Sequence, residues 1–378
     1  SHRPRGGVVN SSHFPHPPYS SGMDSVRIGI VGTGMMGCEH INNFRTVPGV
    51  VITAISDPNE EPRGWARITL GDRADGVAEF TDHRDLLASG LVDAVVVASP
   101  NHTHREVLGD ILATDTAVLV EKPMCTTVED CLEVVEMQSR RSAVTWVGLE
   151  YRYMPQVAEV LRRVRAGGVG ELRMMSIREH RFPFLVKVDN WNRFSRNTGG
   201  TLVEKCCHFF DLMNLAVGAR PVRVMASGGQ DVNHLDEWYD GERSDILDNA
   251  FVTVDYANGV RTMLDLSMFA EGSRYEQQIV AVGSTGKIEA EVPGGVWVGD
   301  RSTRAVTELR ADVDESVGHV GYHHGASWIE CSRFVDAVRN GTTADVGVSD
   351  GLWSVAIGAA AHRSIDEGRV VSLSEWGL

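Results

Sequence analysis

Residues 26–37 read VRIGIVGTGMMG, and this stretch decides the fold. Its first half is apolar and rich in β-branched side chains, which is typical of a strand. Its second half, Gly32 to Gly37, is a G-x-G-x-x-G turn, and a helix-like segment follows directly. Strand, glycine-rich turn and helix in this order predict dinucleotide binding. The glycines permit a tight turn, a close approach to a pyrophosphate and close packing of helix on strand.

A second predicted strand, residues 50–55, ends in Ser56-Asp57-Pro58. Asp57 lies about 20 residues beyond the glycines, where an acidic side chain binds the ribose hydroxyls of NAD. The alternative for Asp57 is an ordinary turn residue before Pro58. The two features together predict NAD as the cofactor. NADP is less favoured because an aspartate at this position repels its extra phosphate.

Length and composition limit the classes of protein that remain. A chain of 378 residues predicts two domains. No stretch approaches the roughly 20 apolar residues of a membrane span, and the net charge of −15 argues against a nucleic-acid partner. The six scattered cysteines form no C-x-x-C pair, which indicates reduced thiols and a cytoplasmic location. Residues 1–24 lack the apolar core of a signal peptide and are predicted to be a disordered leader.

Residues 25–148 alternate predicted strands with helices, which indicates a doubly wound parallel sheet. Ligands bind at the carboxyl ends of the strands in such a sheet. Two further strands, at 93–98 and 118–120, end in polar side chains there. The predicted cofactor site therefore comprises Gly32, Thr33, Gly34, Met35, Met36, Asp57, Ser99, Asn101, His104, Glu121 and Lys122.

The pattern changes after Gly148, so residues 149–378 are predicted to be a second domain for substrate binding and oligomerisation. A helix comes first, and apolar residues then alternate along several strands, with a hairpin signal at Asn258-Gly259. This predicts a mostly antiparallel, open-faced sheet with one helical layer, and two late helices at 326–339 and 349–367. The acidic segment 230–248 is predicted to be a long loop, either functional or a solvated insertion.

Residues 199–211, GGTLVEKCCHFFD, carry the candidate chemistry of the second domain. On one helix Glu204 and His208 would share a face, as an acid–base pair. The alternative for His208 is a core histidine with satisfied ring nitrogens. A metal site is disfavoured because Cys206 and Cys207, as neighbours on a helix, point about 100° apart. Four residues would form the apolar face of that helix: Leu202, Cys206, Phe209 and Met213.

Lys122 precedes Pro123 at the end of a predicted strand. It is either a surface lysine or a group that holds a substrate hydroxyl and favours its alkoxide.

The chain resembles the Gfo/Idh/MocA family, the glucose–fructose oxidoreductase and inositol dehydrogenase type, from about Ser25 to its end. The resemblance rests on VGTGMMG, ASPNHTH, EKP, YRYMP and GGTLVEKCCHFFDL. It implies an N-terminal Rossmann domain, a C-terminal open-faced sheet and NAD(P)-dependent oxidation of a sugar or cyclitol. The lysine of EKP matches Lys122, and the family's catalytic histidine matches His208. Glu204 stands where the family usually has an aspartate.

The resemblance implies that His208 takes the hydroxyl proton while Lys122 steadies the oxygen. Candidate substrate-binding residues are Arg152, Tyr153, Trp191, Arg193 and His324, with His323 beside it. Two other functions remain open on this fold: an NAD-dependent glycosidase and a non-catalytic regulator that binds dinucleotide. The open sheet face predicts a homodimer or homotetramer.

Overall fold

The computed structural model describes residues 25–378, so the predicted leader lies outside the described residues. The chain begins with a domain in which strands and helices alternate. Its elements are β1 (Val26–Val31), α1 (Met35–Phe44), β2 (Val50–Ser56), α2 (Glu60–Leu70), β3 (Ala78–Phe80), α3 (His83–Ala88), β4 (Ala94–Val97), α4 (His104–Leu112), β5 (Ala117–Glu121), α5 (Val128–Gln138) and β6 (Thr145–Gly148).

These six strands form one parallel sheet in the order β3-β2-β1-β4-β5-β6. Every residue of β4 is fully buried because helices cover both faces of the sheet. The strand order reverses between β1 and β4, and ligands of doubly wound sheets bind at such a switch point. The predicted Rossmann architecture is confirmed.

The second domain begins with a helix and is then mostly strands. Its elements are α6 (Pro155–Arg165), β7 (Leu172–His180), α7 (Ser195–Thr198), α8 (Thr201–Glu204), α9 (Cys207–Val217), β8 (Pro221–Gly229), β9 (Trp238–Tyr239), β10 (Glu242–Arg243), β11 (Asn249–Tyr256), β12 (Arg261–Ser267), β13 (Gln277–Gly283), β14 (Gly286–Val292), β15 (Val296–Asp300), β16 (Val306–Leu309), α10 (Ala326–Asn340), α11 (Val348–Glu367) and β17 (Val371–Ser372). Short 3₁₀ turns occur at Gly71–Gly76, Asn101–Thr103, Glu150–Tyr153, Val188–Arg193 and Leu373–Trp376.

Nine strands form the second sheet, in the order β16-β15-β14-β13-β7-β12-β11-β8-β17. β7 and β12 run parallel, and the other neighbouring strands are antiparallel. Helices α6, α9 and α11 cover one face. The other face exposes apolar side chains, so the predicted open-faced sheet is confirmed. The exposed residues are Met174, Met225, Phe251 and Met263.

The structure departs from the predicted elements in two places. Residues 199–211 do not form one helix, because the chain breaks at Lys205 and Cys206 between α8 and α9. The acidic segment 230–248 is not all loop, since it contains the β9–β10 hairpin.

The last two helices return to the first domain. Helix α10 packs on α1 and β1, and α11 packs on α5 as well as on the second sheet. Two indole N–H groups link α10 to the first domain: Trp146 donates to Glu330 at 3.2 Å, and Trp328 donates to Thr46 at 2.9 Å. The two domains therefore share a packed interface beside the site. Within residues 25–378, no helix is long and apolar enough to cross a bilayer.

Candidate active site

A cavity of about 850 Å³ lies at the carboxyl edge of the parallel sheet and is walled by both domains. Nine of the predicted cofactor residues line it: Gly32, Gly34, Met35, Met36, Asp57, Ser99, Asn101, Glu121 and Lys122. The second domain contributes Lys187, Trp191, Glu204 and Tyr239, among others.

The glycine-rich turn leaves open space where a pyrophosphate would bind. A Cβ built on Gly34 would meet no atom within 4 Å, whereas one on Gly37 would lie 2.1 Å from the carbonyl oxygen of Gly32. Gly34 thus keeps the cavity side clear, and Gly37 lets α1 pack against the turn. Helix α1 begins at Met35, and its free N–H groups suit an anionic ligand. The residues present therefore fit the pyrophosphate of a dinucleotide.

Asp57 follows β2 and is held rigidly at the cavity wall. One carboxylate oxygen accepts the N–H of Thr33 and the other accepts the N–H of Asn59, each at 2.9 Å. Thr33 itself is buried and supports Asp57 from behind. His104 lies behind the wall too, with its ring nitrogens 2.9 Å and 3.0 Å from the carbonyl oxygens of Pro123 and Ser99. Direct cofactor contact by Thr33 and His104 stays a prediction.

Lys122 comes directly after β5 and points toward the second domain. Its Nζ donates to the backbone oxygen of Glu204 at 3.3 Å. Burial lowers the pKa of Lys122, but the neighbouring acidic groups Cys207, Glu121, Glu204 and Glu150 outweigh burial and the net shift is upward. Burial raises the pKa of Cys207 to about 12, so this thiol is neutral, and the negative charge beside Lys122 comes chiefly from Glu121, whose pKa is lowered to about 2. Lys122 therefore stays a cation and a strong donor near neutral pH.

Glu204 lines the cavity, and its Oε2 is buried without a hydrogen-bond partner among residues 25–378. Burial raises the pKa of its carboxyl, while the charges of Lys122, Lys187 and Arg193 act in the opposite direction. Glu121 differs because its Oε1 lies 2.7 Å from His40 Nε2. That contact outweighs burial and holds the pKa of Glu121 well below its usual range.

His208 is buried at the start of α9 and does not itself line the cavity, so its role as the base stays a prediction. Its ring stacks on Tyr151 at a centroid distance of 3.9 Å and an angle of 6°. The carboxylate that faces its Nδ1 belongs to Glu150, at 3.9 Å, so the expected pairing with Glu204 is wrong in geometry. The break between α8 and α9 explains the difference. Burial, followed by the charge of Lys122, lowers the pKa of His208 well below its usual value. The imidazole is therefore neutral near pH 7.

The predicted substrate-binding residues lie in different places. Trp191 lines the cavity beside His102. Arg152 is buried and pairs with Asp211 through Nε at 2.6 Å, and Arg193 is buried with its Nε 2.9 Å from Glu237. Tyr153 packs under the guanidinium of Arg333. His324, next to His323 in the chain, adopts a positive φ of 54°. Substrate contact by these residues stays a prediction.

Sequence reasoning missed several residues of the site, and three of them bear on its chemistry. Lys187 and His102 line the cavity, and Glu150 faces His208. Lys187 lies in an irregular stretch between β7 and a 3₁₀ turn, where no periodicity marks it. Glu150 directly precedes the YRYMP motif, but a lone glutamate in a sequence carries no signal of its partner. Among the described residues, no group of three or more His, Cys, Asp and Glu is arranged to hold a metal ion.

Two family models match most of the chain. Residues 26–149 match the oxidoreductase family's NAD-binding Rossmann fold, and residues 162–373 match its C-terminal alpha/beta domain. The chain is 26% identical over 357 residues to a myo-inositol 2-dehydrogenase of Thermotoga maritima, covering 93% of this chain and 99% of the relative. It is 25% identical to the NAD(+)-dependent scyllo-inositol 2-dehydrogenase of Bacillus subtilis, covering 92% and 96%.

A levoglucosan dehydrogenase solved with NADH and levoglucosan has the same fold, with a TM-score of 0.81 at 19% identity, covering 93% of this chain and 100% of that one. The glycine turn, the fixed Asp57 and the two family models agree on the cofactor, which is NAD. The chain belongs to the Gfo/Idh/MocA oxidoreductase family, whose first domain is an NAD-binding Rossmann fold.

Proposed function

We propose that this protein oxidises a secondary hydroxyl of a cyclitol, or of a closely similar sugar, to a ketone with NAD as hydride acceptor. The observation that carries the proposal is the position of Lys122. This cation lines the same cavity as Gly34 and Asp57 and is held against Glu204 of the second domain. The inositol dehydrogenases among its relatives favour a cyclitol.

The chain's own residues bind and deprotonate the alcohol. Bound NAD supplies the nicotinamide ring that accepts hydride. Lys122 donates a hydrogen bond to the reacting oxygen and favours its alkoxide form. Neutral His208 accepts the hydroxyl proton on Nε2, the ring nitrogen that does not face Glu150. Glu204 presents its unpartnered Oε2 to a substrate hydroxyl.

The preference for NAD over NADP rests on Asp57 in this proposal. Its carboxylate is fixed by two backbone N–H groups and would repel a 2′-phosphate. Two arginines of this region are paired with carboxylates. Arg63, which also donates to the carbonyl oxygen of Asp57, pairs with Glu60, and Arg84, which lines the cavity, pairs with Glu106. These ion pairs partly neutralise the positive charge that a 2′-phosphate would meet.

We infer that a second copy of this chain covers the open face of the nine-stranded sheet. Met225 and Phe251 are 60% and 59% exposed there, on adjacent antiparallel strands. A contiguous exposed apolar patch marks an interaction surface. Sedimentation should give a dimer or tetramer, and Phe251→Glu should lower the mass. A wild-type monomer at micromolar concentration would refute this interface. The cytoplasmic location stays a prediction.

The test of the activity is a panel of cyclitols, aldoses and glycosides incubated with NAD while absorbance of NADH is recorded. Net NADH with a free cyclitol supports the proposal. Release of an aglycone without net NADH would identify the glycosidase alternative instead. NAD binding without turnover of any compound would favour the regulator.

A further inference from the structure

Glu150 lies on the 3₁₀ turn Glu150–Tyr153, directly after the parallel sheet ends, and it bridges two histidines. Its Oε2 lies 3.9 Å from His208 Nδ1, and its Oε1 lies 3.2 Å from His323 Nδ1. The two histidines come from different segments, since His208 lies in the first turn of α9 and His323 precedes α10. One carboxyl group therefore joins the candidate base to a third segment of the chain.

His208, Glu150 and His323 form a row of side chains, and solvent exposure increases along this row. The side chains of His208 and Glu150 are 2% and 4% exposed, and that of His323 is 23% exposed. Tyr151 holds the row together, because its ring stacks on His208 and lies 5.5 Å from the ring of His323. The row thus runs from the buried imidazole to solvent.

The two facing atoms at the inner end have no other use among the described residues. His208 Nδ1 and Glu150 Oε2 are both buried without a hydrogen-bond partner within residues 25–378. Their separation of 3.9 Å is too long for a hydrogen bond, and catalytic contacts commonly tighten when substrate binds. A closure of about 1 Å would complete the row.

We propose that His208, Glu150 and His323 form a proton relay that carries the substrate's hydroxyl proton from the cavity to solvent. This inference rests on the proposed dehydrogenase function. As His208 Nε2 gains the hydroxyl proton, Nδ1–H passes its proton to Glu150 Oε2. Glu150 releases the proton on Oε1 to His323 Nδ1, and His323 Nε2–H loses its proton to water. Each group ends with its original proton count.

The surroundings of Glu150 favour the protonated form of its carboxyl, which the relay requires. Burial and then the charge of Glu121 raise the pKa of Glu150 to about 8, against the opposing effects of Lys122 and Lys205. Its carboxyl therefore holds a proton near neutral pH and can donate it. Burial lowers the pKa of His323 to about 3, so its ring is neutral and can accept. The titratable groups facing Glu150 are Glu121, Lys122, Tyr151, Lys205, Cys207, His208, His323, Glu330 and Cys331.

Kinetics of the NAD-loaded enzyme test the relay through two variants. Glu150→Gln keeps the shape but cannot pass a proton, so kcat should fall about 10- to 100-fold while KM and NAD affinity hold. His323→Ala should lose a similar share of kcat and regain it with added imidazole. His319→Ala is the matched control, because His319 contacts Glu39 instead and should show neither the loss nor the rescue.

A readout independent of turnover is the ¹⁵N spectrum of the histidine rings. The relay requires the proton of His208 on Nδ1, and Glu150→Gln should shift that resonance. An active wild type with unchanged kcat in Glu150→Gln and no imidazole response in His323→Ala overturns the relay and leaves the proposed function intact. A wild type that oxidises no compound overturns the function. In that case the ¹⁵N spectrum alone decides whether the His208–Glu150 contact exists.

Discussion

The two ends of the cavity are built in different ways. The cofactor end uses a short local motif and a single aspartate, with Gly32, Gly34 and Asp57 all within the first two strands of the chain. The substrate end is lined by Lys122 after β5, Lys187 after β7 and Glu204 of α8, and the buried side chains of Glu150 and His208 lie outside that lining. The first end is a property of local backbone, whereas the second exists only after two domains have packed together.

This contrast indicates where function is sensitive to change. At the cofactor end the backbone forms the binding surface, so the free space around each glycine Cα determines whether NAD can bind. At the substrate end buried charged groups and imidazoles are expected to carry out the reaction, so their protonation states and their contacts determine the rate. The predictions below test one end against the other.

The largest effect is expected at the substrate end from His208→Ala. Removing the base should lower kcat by about 10²- to 10⁴-fold, while the Kd for NAD stays within about twofold. Steady-state kinetics and fluorescence titration with NADH would measure the two. His180→Ala, a half-buried histidine on the outer face of the second sheet, is the control and should keep its rate. An unaltered kcat in His208→Ala would remove His208 from the role of base.

Arg152→Met separates a structural role from a substrate role. The guanidinium pairs with Asp211, and its loss leaves a buried carboxylate unpaired. The free energy of unfolding should fall by about 3–5 kcal/mol in a denaturant titration.

The second variant for this pair is Arg152→Met with Asp211→Leu, which should recover most of the loss because no buried carboxylate is left unpaired; Asp350, which also contacts Arg152 at 3.1 Å, is partly exposed to solvent. A single variant of normal stability but raised KM would instead favour the substrate contact expected from the sequence.

The same contrast explains how much could be predicted from the sequence. The strand, glycine turn and helix of residues 26–37, and Asp57 after β2, follow local rules and were predicted in place. Lys122 was found because strand ends of a parallel sheet meet at one edge. Arg152 was expected to face substrate, since nothing in the sequence shows that Asp211 lies beside it. Glu150 and Lys187 were missed for the same reason: their roles depend on contacts between distant segments.

The pair Gly34→Ala and Gly37→Ala sharpens the description of the cofactor end. A Cβ on Gly34 enters open cavity space, so the fold should hold its Tm while the Kd for NAD rises about 10- to 100-fold. A Cβ on Gly37 meets a backbone oxygen at 2.1 Å, so the protein should lose about 1–3 kcal/mol of stability or more. Thermal unfolding and NADH titration distinguish the two. Unchanged NAD affinity in Gly34→Ala would mean that the pyrophosphate binds elsewhere.

The smallest effect is expected from Asp57→Asn, which removes a charge without changing the size of the side chain. Loss of a charged hydrogen-bond acceptor for the ribose should weaken NAD by about 10-fold, or roughly 1.4 kcal/mol. NADP should bind better than before, because the repulsion of its 2′-phosphate is gone. The measurement is the ratio of kcat/KM with NAD to that with NADP.

Asp300→Asn is the matched control for Asp57→Asn. Asp300 also accepts two backbone N–H groups, from Ser302 at 2.9 Å and Thr303 at 2.7 Å, but it lies at the end of β15, away from the residues that line the cavity. This variant should lose a little stability and keep its cofactor preference. A ratio that stays the same in Asp57→Asn would show that cofactor choice is not made at the end of β2. Discrimination would then fall to other lining residues, such as Arg84 after the neighbouring strand β3, and the cofactor end would be less local than its sequence motif indicates.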